Sequence, residues 1–230
     1  MHPIIIISGI LLMLVCSGFL ALFLRAFYEK TFLKALILKG IASICFVTLG
    51  ALTLSQGEFS TTKILIFIGL CFGIVGDEVI ALCQVFPKHD KLAFIGGGAF
   101  FLVGHVLYIV ALFLLGTTNK LSLIASFLII STISAAYAKR KGFLTREMKT
   151  PLTLYLIIVV FMTATAVGTF FGCFTLGAGI FAVGGMLFTA SDNLLFAYKL
   201  GEKPKFVQNI LLHAFYYSAQ LLIAWSIALL

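Results

Sequence analysis

The chain is a succession of long apolar runs, each closed by a short polar or charged cluster. Read by the roughly 20 residues that cross a hydrocarbon core as a helix, the runs fall at 4–24, 33–54, 64–85, 92–115, 119–138, 152–171, 174–197 and 207–229. They predict an all-α integral membrane bundle of eight helices, a single transmembrane domain over residues 1–230 with connections too short for a soluble domain. An even number of crossings puts both termini on one side of the membrane.

The basic residues say which side. Loops after the first, third, fifth and seventh runs hold Arg25, Lys30 and Lys34; Lys88 and Lys91; Lys139, Arg140, Lys141, Arg146 and Lys149; and Lys199, Lys203 and Lys205, whereas the opposite face has only Lys63 and Lys120. The positive-inside bias therefore predicts non-cytosolic termini in a multi-pass protein, of the cytoplasmic (inner) membrane if the source is bacterial. His2-Pro3 leads straight into the first run without a basic stretch, so that run reads as a retained helix rather than a cleaved signal.

Within the runs the polar positions are few and patterned. Asp77 and Asp192 sit deep in apolar surroundings, in matching contexts: Gly76-Asp77-Glu78-Val79-Ile80 and Ser191-Asp192-Asn193-Leu194-Leu195. A carboxyl at such depth costs at least about 2.5 kcal/mol on insertion scales, so it is a functional hypothesis by default. Helices one to four carry an Asp in the third and His105-x-x-Tyr108 in the fourth; helices five to eight carry an Asp in the seventh and His213-x-x-Tyr216 in the eighth. That order suggests a parallel four-plus-four repeat.

Small residues share a face with both aspartates: Gly69, Gly73 and Gly76 before Asp77, and Ala178, Gly185 and Thr189 before Asp192. Small residues mark helix contacts in lipid, so both carboxyls are expected to point into the bundle. In the last helix Asn209, His213, Tyr216 and Gln220 recur at helical spacing as a narrow polar stripe, either a cavity wall or a hydrogen-bond seam. At about 1.5 Å per residue, Asp77, Asp192 and His213 lie roughly 14, 10 and 12 Å from the cytosolic ends of their helices, close enough to meet. His105, at roughly 21 Å, sits higher and is a weaker candidate for direct contact.

Composition narrows the reading further. A chain of 62% hydrophobic and 10% charged residues, with 24 Phe, cannot hide its apolar surface in a soluble globule. The net charge of +8 is accounted for by the loop lysines and arginines, so it calls for anionic membrane lipids rather than nucleic acid. The five cysteines show no C-x-x-C spacing, and no ligand spacing for a metal is present. Gly96-Gly97-Gly98 opens a membrane helix rather than joining strand to helix, which excludes a nucleotide loop, and the serines of the fifth run lack an elbow and a paired His. No metal and no organic cofactor is expected.

The chemistry open to two buried carboxyls is limited. They either hydrogen-bond between helices as neutral groups or act as an acid/base pair or a proton or cation site, one protonated while its partner is ionised. Glu78 is turned about 100° from Asp77 and faces either a polar cavity or another polar partner. Lys39, about a turn inside the second run, either snorkels to the interface to hold a lipid phosphate or merely anchors topology.

Four motifs in order carry a resemblance. Gly76-Asp77 with an aliphatic residue three positions on, Gly104-His105-x-x-Tyr108, Ser191-Asp192-x-x-Leu195, and the run from Tyr216-Tyr217 through Gln220 to Ala224 resemble the YhhN-type lysoplasmalogenase family over most of the chain. Ile80 stands where Leu is usual, and Lys39-Gly40 where Lys-Pro is expected. The resemblance implies hydrolysis of the vinyl ether bond of a lysoplasmalogen to a fatty aldehyde and a glycerophospho-base. Such hydrolysis begins with protonation of carbon, so it needs an acid and a stabilising anion. On this reading Asp77 and Asp192 are catalytic; His213, Tyr216, Tyr217, Gln220, Glu78, His105 and Tyr108 orient water or substrate; Lys39 meets the head group. The partners are a lysophospholipid substrate and membrane lipids, with oligomeric state left open. The alternative is a proton-coupled transporter using the Asp and His residues as a relay.

Overall fold

The computed structural model describes residues 3–56, 58–144, 148–201 and 205–230, apart from the side chains at 4 and 149. His2, Arg146, Lys203 and the side chain of Lys149, which belong to the loop pattern above, lie outside the described residues. Among those residues there are eight α-helices and no strand: α1 (Pro3–Tyr28), α2 (Phe32–Leu54), α3 (Thr61–Val85), α4 (Asp90–Leu114), α5 (Lys120–Lys141), α6 (Lys149–Cys173), α7 (Leu176–Leu200) and α8 (Phe206–Ser226). A single 3-10 turn, Pro87–His89, leads into α4.

Side-chain oxygens cap the starts of three helices. Ser60, Asn119 and Thr175 accept from the amides of Lys63, Ser122 and Ala178, which satisfies one otherwise orphaned donor at the starts of α3, α5 and α7. Gly142, at φ +66°, ends α5 in the left-handed conformation that a glycine adopts without strain. Helices α1 and α5 run past their apolar stretches through Arg25 and through Lys139 to Lys141, because the backbone ladder continues whatever the side chains face.

Seven of the eight helices are long and apolar enough to cross a membrane; α8 falls short of that composition. The reason is its polar stripe, and its position makes the stripe tolerable. Gln208, Asn209, His213 and Gln220 are all buried, on a helix packed against α7 and α2 with lighter contact to α3 and α1. By contrast α1 and α5 bury little and turn Leu14 and Leu128 outward.

The neighbour relations follow the expected four-plus-four pattern. Within the first half α1 packs on α2, α2 on α3 and α3 on α4; α5 to α8 do the same, and the halves join through α4 on α6 and α2 on α8. Advancing each helix number by four maps every one of these contacts onto another. Helices α3 and α4 approach closely: a Cβ at Gly76 would lie 2.9 Å from the Gly97 carbonyl and one at Gly97 would lie 2.7 Å from the Gly76 carbonyl. Only glycine allows that approach, and it sets α4 close beside Asp77.

Candidate active site

Both aspartates are buried, Asp77 at 6% exposure and Asp192 at 3%. They line one narrow cavity together with His213, Tyr216, Phe101 and Lys199. Its volume is about 50 Å³. A water needs about 10–15 Å³ on this measure, so the space suits a few waters and a small reacting group. The expectation that Asp77, Asp192 and His213 meet at one level agrees with this cavity.

Asp77 is held by donors on every side. Lys39 Nζ lies 2.7 Å from Oδ1 and donates to the Asp77 backbone carbonyl at 2.9 Å. Ser43 Oγ donates to Oδ2 at 3.0 Å, and the Tyr217 hydroxyl lies 3.1 Å from the same oxygen. The ammonium can only donate, so it matches a carboxylate at Oδ1, while the two hydroxyls meet Oδ2; the Tyr217 hydroxyl also reaches the Lys39 carbonyl at 3.2 Å. Lys39 and Ser43 are four residues apart and so share a face of α2, and Tyr217 comes from α8.

Asp192 has a different setting. Among the described residues the one hydrogen bond to its carboxyl comes from the Tyr155 hydroxyl of α6, at 2.8 Å from Oδ2. His105 Nε2 lies 3.3 Å from that hydroxyl and 3.9 Å from Asp192 Oδ2, with its Nδ1 buried and unpartnered among the described residues. No lysine or arginine pairs with Asp192 among the described residues.

His105 is therefore nearer the site than its depth along the helix implies. Side chains lean toward the N-terminus of their own helix. The neighbouring ring pairs Phe94 with Phe196 and Phe101 with Phe188 show that α4 and α7 run antiparallel, so His105 and Asp192 lean toward each other. Counting Cα rise alone misses that convergence.

Lys39 also lines the cavity, and its placement differs from the interfacial one expected. It is 4% exposed and committed to Asp77, so it does not snorkel to an interface. Burial of an ammonium beside a carboxylate is sustained by their mutual pairing. Glu78 points away from the cavity, toward α2: a Cβ at Gly40 would stand 3.6 Å from its carboxyl carbon. Its Oε1 is buried without a partner among the described residues.

The α8 stripe divides. His213 Nδ1 lies 2.8 Å from the Asn209 carbonyl, which can only accept, so Nδ1 donates; in the neutral ring that leaves the lone pair on Nε2. Tyr216 also lines the cavity and donates to the Gly73 carbonyl at 3.1 Å. Gln220 donates to the Tyr216 hydroxyl at 3.3 Å and accepts from Tyr108 at 3.4 Å. Gln220 and Tyr108 thus form a seam behind Tyr216, outside the lining of the cavity.

Three residues of the site do not stand out in the sequence. Ser43 had a signal, its i, i+4 relation to Lys39, but the partner on another helix was not visible. Tyr155 is one hydroxyl in an apolar helix, and Lys199 counted only as a basic loop marker. Lys199 lines the aspartate cavity and also a second cavity at the end of α7, and its Nζ is 2.9 Å from the Gln84 amide oxygen in the orientation that satisfies both groups.

An all-helical, membrane-type bundle that buries two carboxyls around a water-sized cavity defines the class of protein. The profile of the YhhN family matches residues 30–227, and the chain belongs to that family. Neither a curated protein nor a solved structure matches it.

Proposed function

We propose that the protein hydrolyses the vinyl ether bond of lysoplasmalogens, with Asp192 as the acid and Asp77 as the stabilising carboxylate. The observation that carries this reading is the unequal dress of two carboxyls on one cavity. Asp77 has the donors of a fixed anion, whereas Asp192 has neutral neighbours that leave it free to hold a proton.

Asp192 gives its proton to the alkene carbon β to the ether oxygen, and the positive charge moves to the oxocarbenium group. Asp77 stabilises that cation from across the cavity. A water placed by the His213 Nε2 lone pair and Tyr216 adds to the carbon bearing oxygen, and the proton it sheds returns to Asp192. The hemiacetal passes its hydroxyl proton to the glycerol oxygen as the carbon–oxygen bond breaks, releasing a fatty aldehyde and the glycerophospho-base. Lys199, at the mouth, takes over the phosphate contact first assigned to Lys39.

The basic loops further support an inner-membrane protein with cytosolic loops after α1, α3, α5 and α7, so that substrate arrives from the cytosolic leaflet. Labelling of a cysteine placed at Gly142 tests this: reaction only after the membrane is opened is expected, and reaction from outside intact cells overturns it.

The activity itself is tested with purified protein in detergent, a vinyl ether lysolipid and its saturated alkyl-ether analogue, with and without a chelator. Aldehyde from the first alone, unaffected by the chelator, is expected, because only an alkene can be protonated at carbon. Equal cleavage of the saturated ether, or chelator inactivation reversed by zinc, overturns the mechanism. Saturable uptake into vesicles abolished by an uncoupler, without aldehyde, marks the transporter instead.

A further inference from the structure

A second cavity adjoins the aspartates. It lies between α4 and α6, is about 190 Å³ against about 50 Å³ for the aspartate cavity, and is lined almost wholly by apolar side chains. The two share Ile80, Phe101 and Leu195 as a common wall. The one hydroxyl on its lining is Tyr155, the donor to Asp192. Ile95, Ala99 and Pro151 form an outer lip exposed to the surroundings of the bundle.

Toward the start of α4, Phe94 and Met148 are shared with the rim cavity that holds Lys199. The cavity thus borders at one end a rim that carries Lys91 and Lys199 with Asp90, and across its inner wall the cavity of the carboxyls. That is the charge arrangement an anionic or zwitterionic amphiphile with one hydrocarbon chain requires.

Gly98 supplies an independent observation. Its neighbour Gly97 is glycine because α3 leaves no room for a Cβ, whereas a Cβ at Gly98 would meet nothing within 4 Å. Glycine inside a helix is destabilising relative to alanine, so packing does not account for it. Gly98 lines this cavity, and a side chain there would project into it.

We infer that the cavity between α4 and α6 binds the hydrocarbon chain of the substrate, which enters sideways between these helices from the lipid. The identity of the reacting bond rests on the function proposed above; occupancy by a single alkyl chain is tested apart from turnover. The probe is a saturated ether-linked lysophospholipid with a diazirine at the chain end, irradiated with the full-length protein in detergent and mapped by mass spectrometry.

Labelling concentrated on residues 90–114 and 149–173, competed by the unlabelled saturated lysolipid, is expected. Gly98→Phe should reduce it at least tenfold. Ala99→Phe provides a second block at the lip should the first variant fold poorly, and Gly18→Phe on the outer face of α1, where a Cβ also meets nothing within 4 Å, should leave labelling unchanged. Labelling spread over α1 and α5, or indifferent to both blocking variants, overturns the inference. Concentrated labelling in a protein that releases no aldehyde sustains the chain site and discards the hydrolysis.

Discussion

Asp77 and Asp192 occupy corresponding places in the two halves of the bundle, and their surroundings differ in kind. Asp77 on α3 is flanked by α2 and α8, Asp192 on α7 by α6 and α4, as a repeat of four helices requires. Yet α2 offers Lys39 and Ser43, where α6 offers Tyr155. Asp77 has a cation, Lys39, beside it from its own half; Asp192 has a phenol from its own half and, across from α4, the His105 imidazole. Two copies of one arrangement can thus diverge into a fixed anion and a proton donor, which is the pairing that protonation at carbon needs.

The largest expected effect comes from breaking each carboxyl in turn. Asp192→Asn should lower aldehyde release by about 10²–10⁴-fold, the usual worth of a general acid, with the melting temperature kept, since no charge is left unpaired. Asp77→Asn should also remove activity but strand the Lys39 ammonium in the core, at a cost of about 3–5 kcal/mol. Equal thermal stability of the two variants contradicts the difference drawn here. Adding Lys39→Met to Asp77→Asn should restore most of the lost stability and none of the activity.

A smaller effect is expected at Tyr155. Tyr155→Phe removes the single donor to the Asp192 carboxyl and should slow turnover about tenfold, at the upper end of the range of about 0.5–1.5 kcal/mol for a hydrogen bond between neutral groups, with far less loss of stability than Asp77→Asn. The smallest effect belongs to Glu78, which faces α2: Glu78→Gln should leave kcat within about twofold, because it neither lines the cavity nor touches either aspartate. A loss comparable to that of Asp192→Asn would bring Glu78 into the chemistry.

Much of this was legible in the chain because a bilayer constrains sequence strongly. The apolar runs located the eight helices, and the small residues before Asp77 and Asp192 pointed both carboxyls inward. What remained illegible was lateral: which helix supplies the partner of a buried group. Lys39 read as an interfacial residue because one lysine near a span end looks the same whether it snorkels or turns inward to Asp77. Tyr155 had no periodic companion to mark it, and Gln220 shared the α8 stripe with His213 while belonging to a seam beside Tyr108. His105 was set too far from Asp192 because depth along an axis omits the lean of the side chain. The YhhN motifs located the catalytic candidates, but the contrast between them appears only when α2 and α6 are packed in place.

That contrast is most directly tested by infrared spectroscopy of the purified protein at neutral pH. Measured in a Glu78→Gln background, so that this third, half-buried carboxyl adds no signal, the C=O stretch of a protonated carboxyl should be present. It should vanish in Asp192→Asn and persist in Asp77→Asn. Loss of the band in Asp77→Asn with its retention in Asp192→Asn would contradict the assignment of acid and anion.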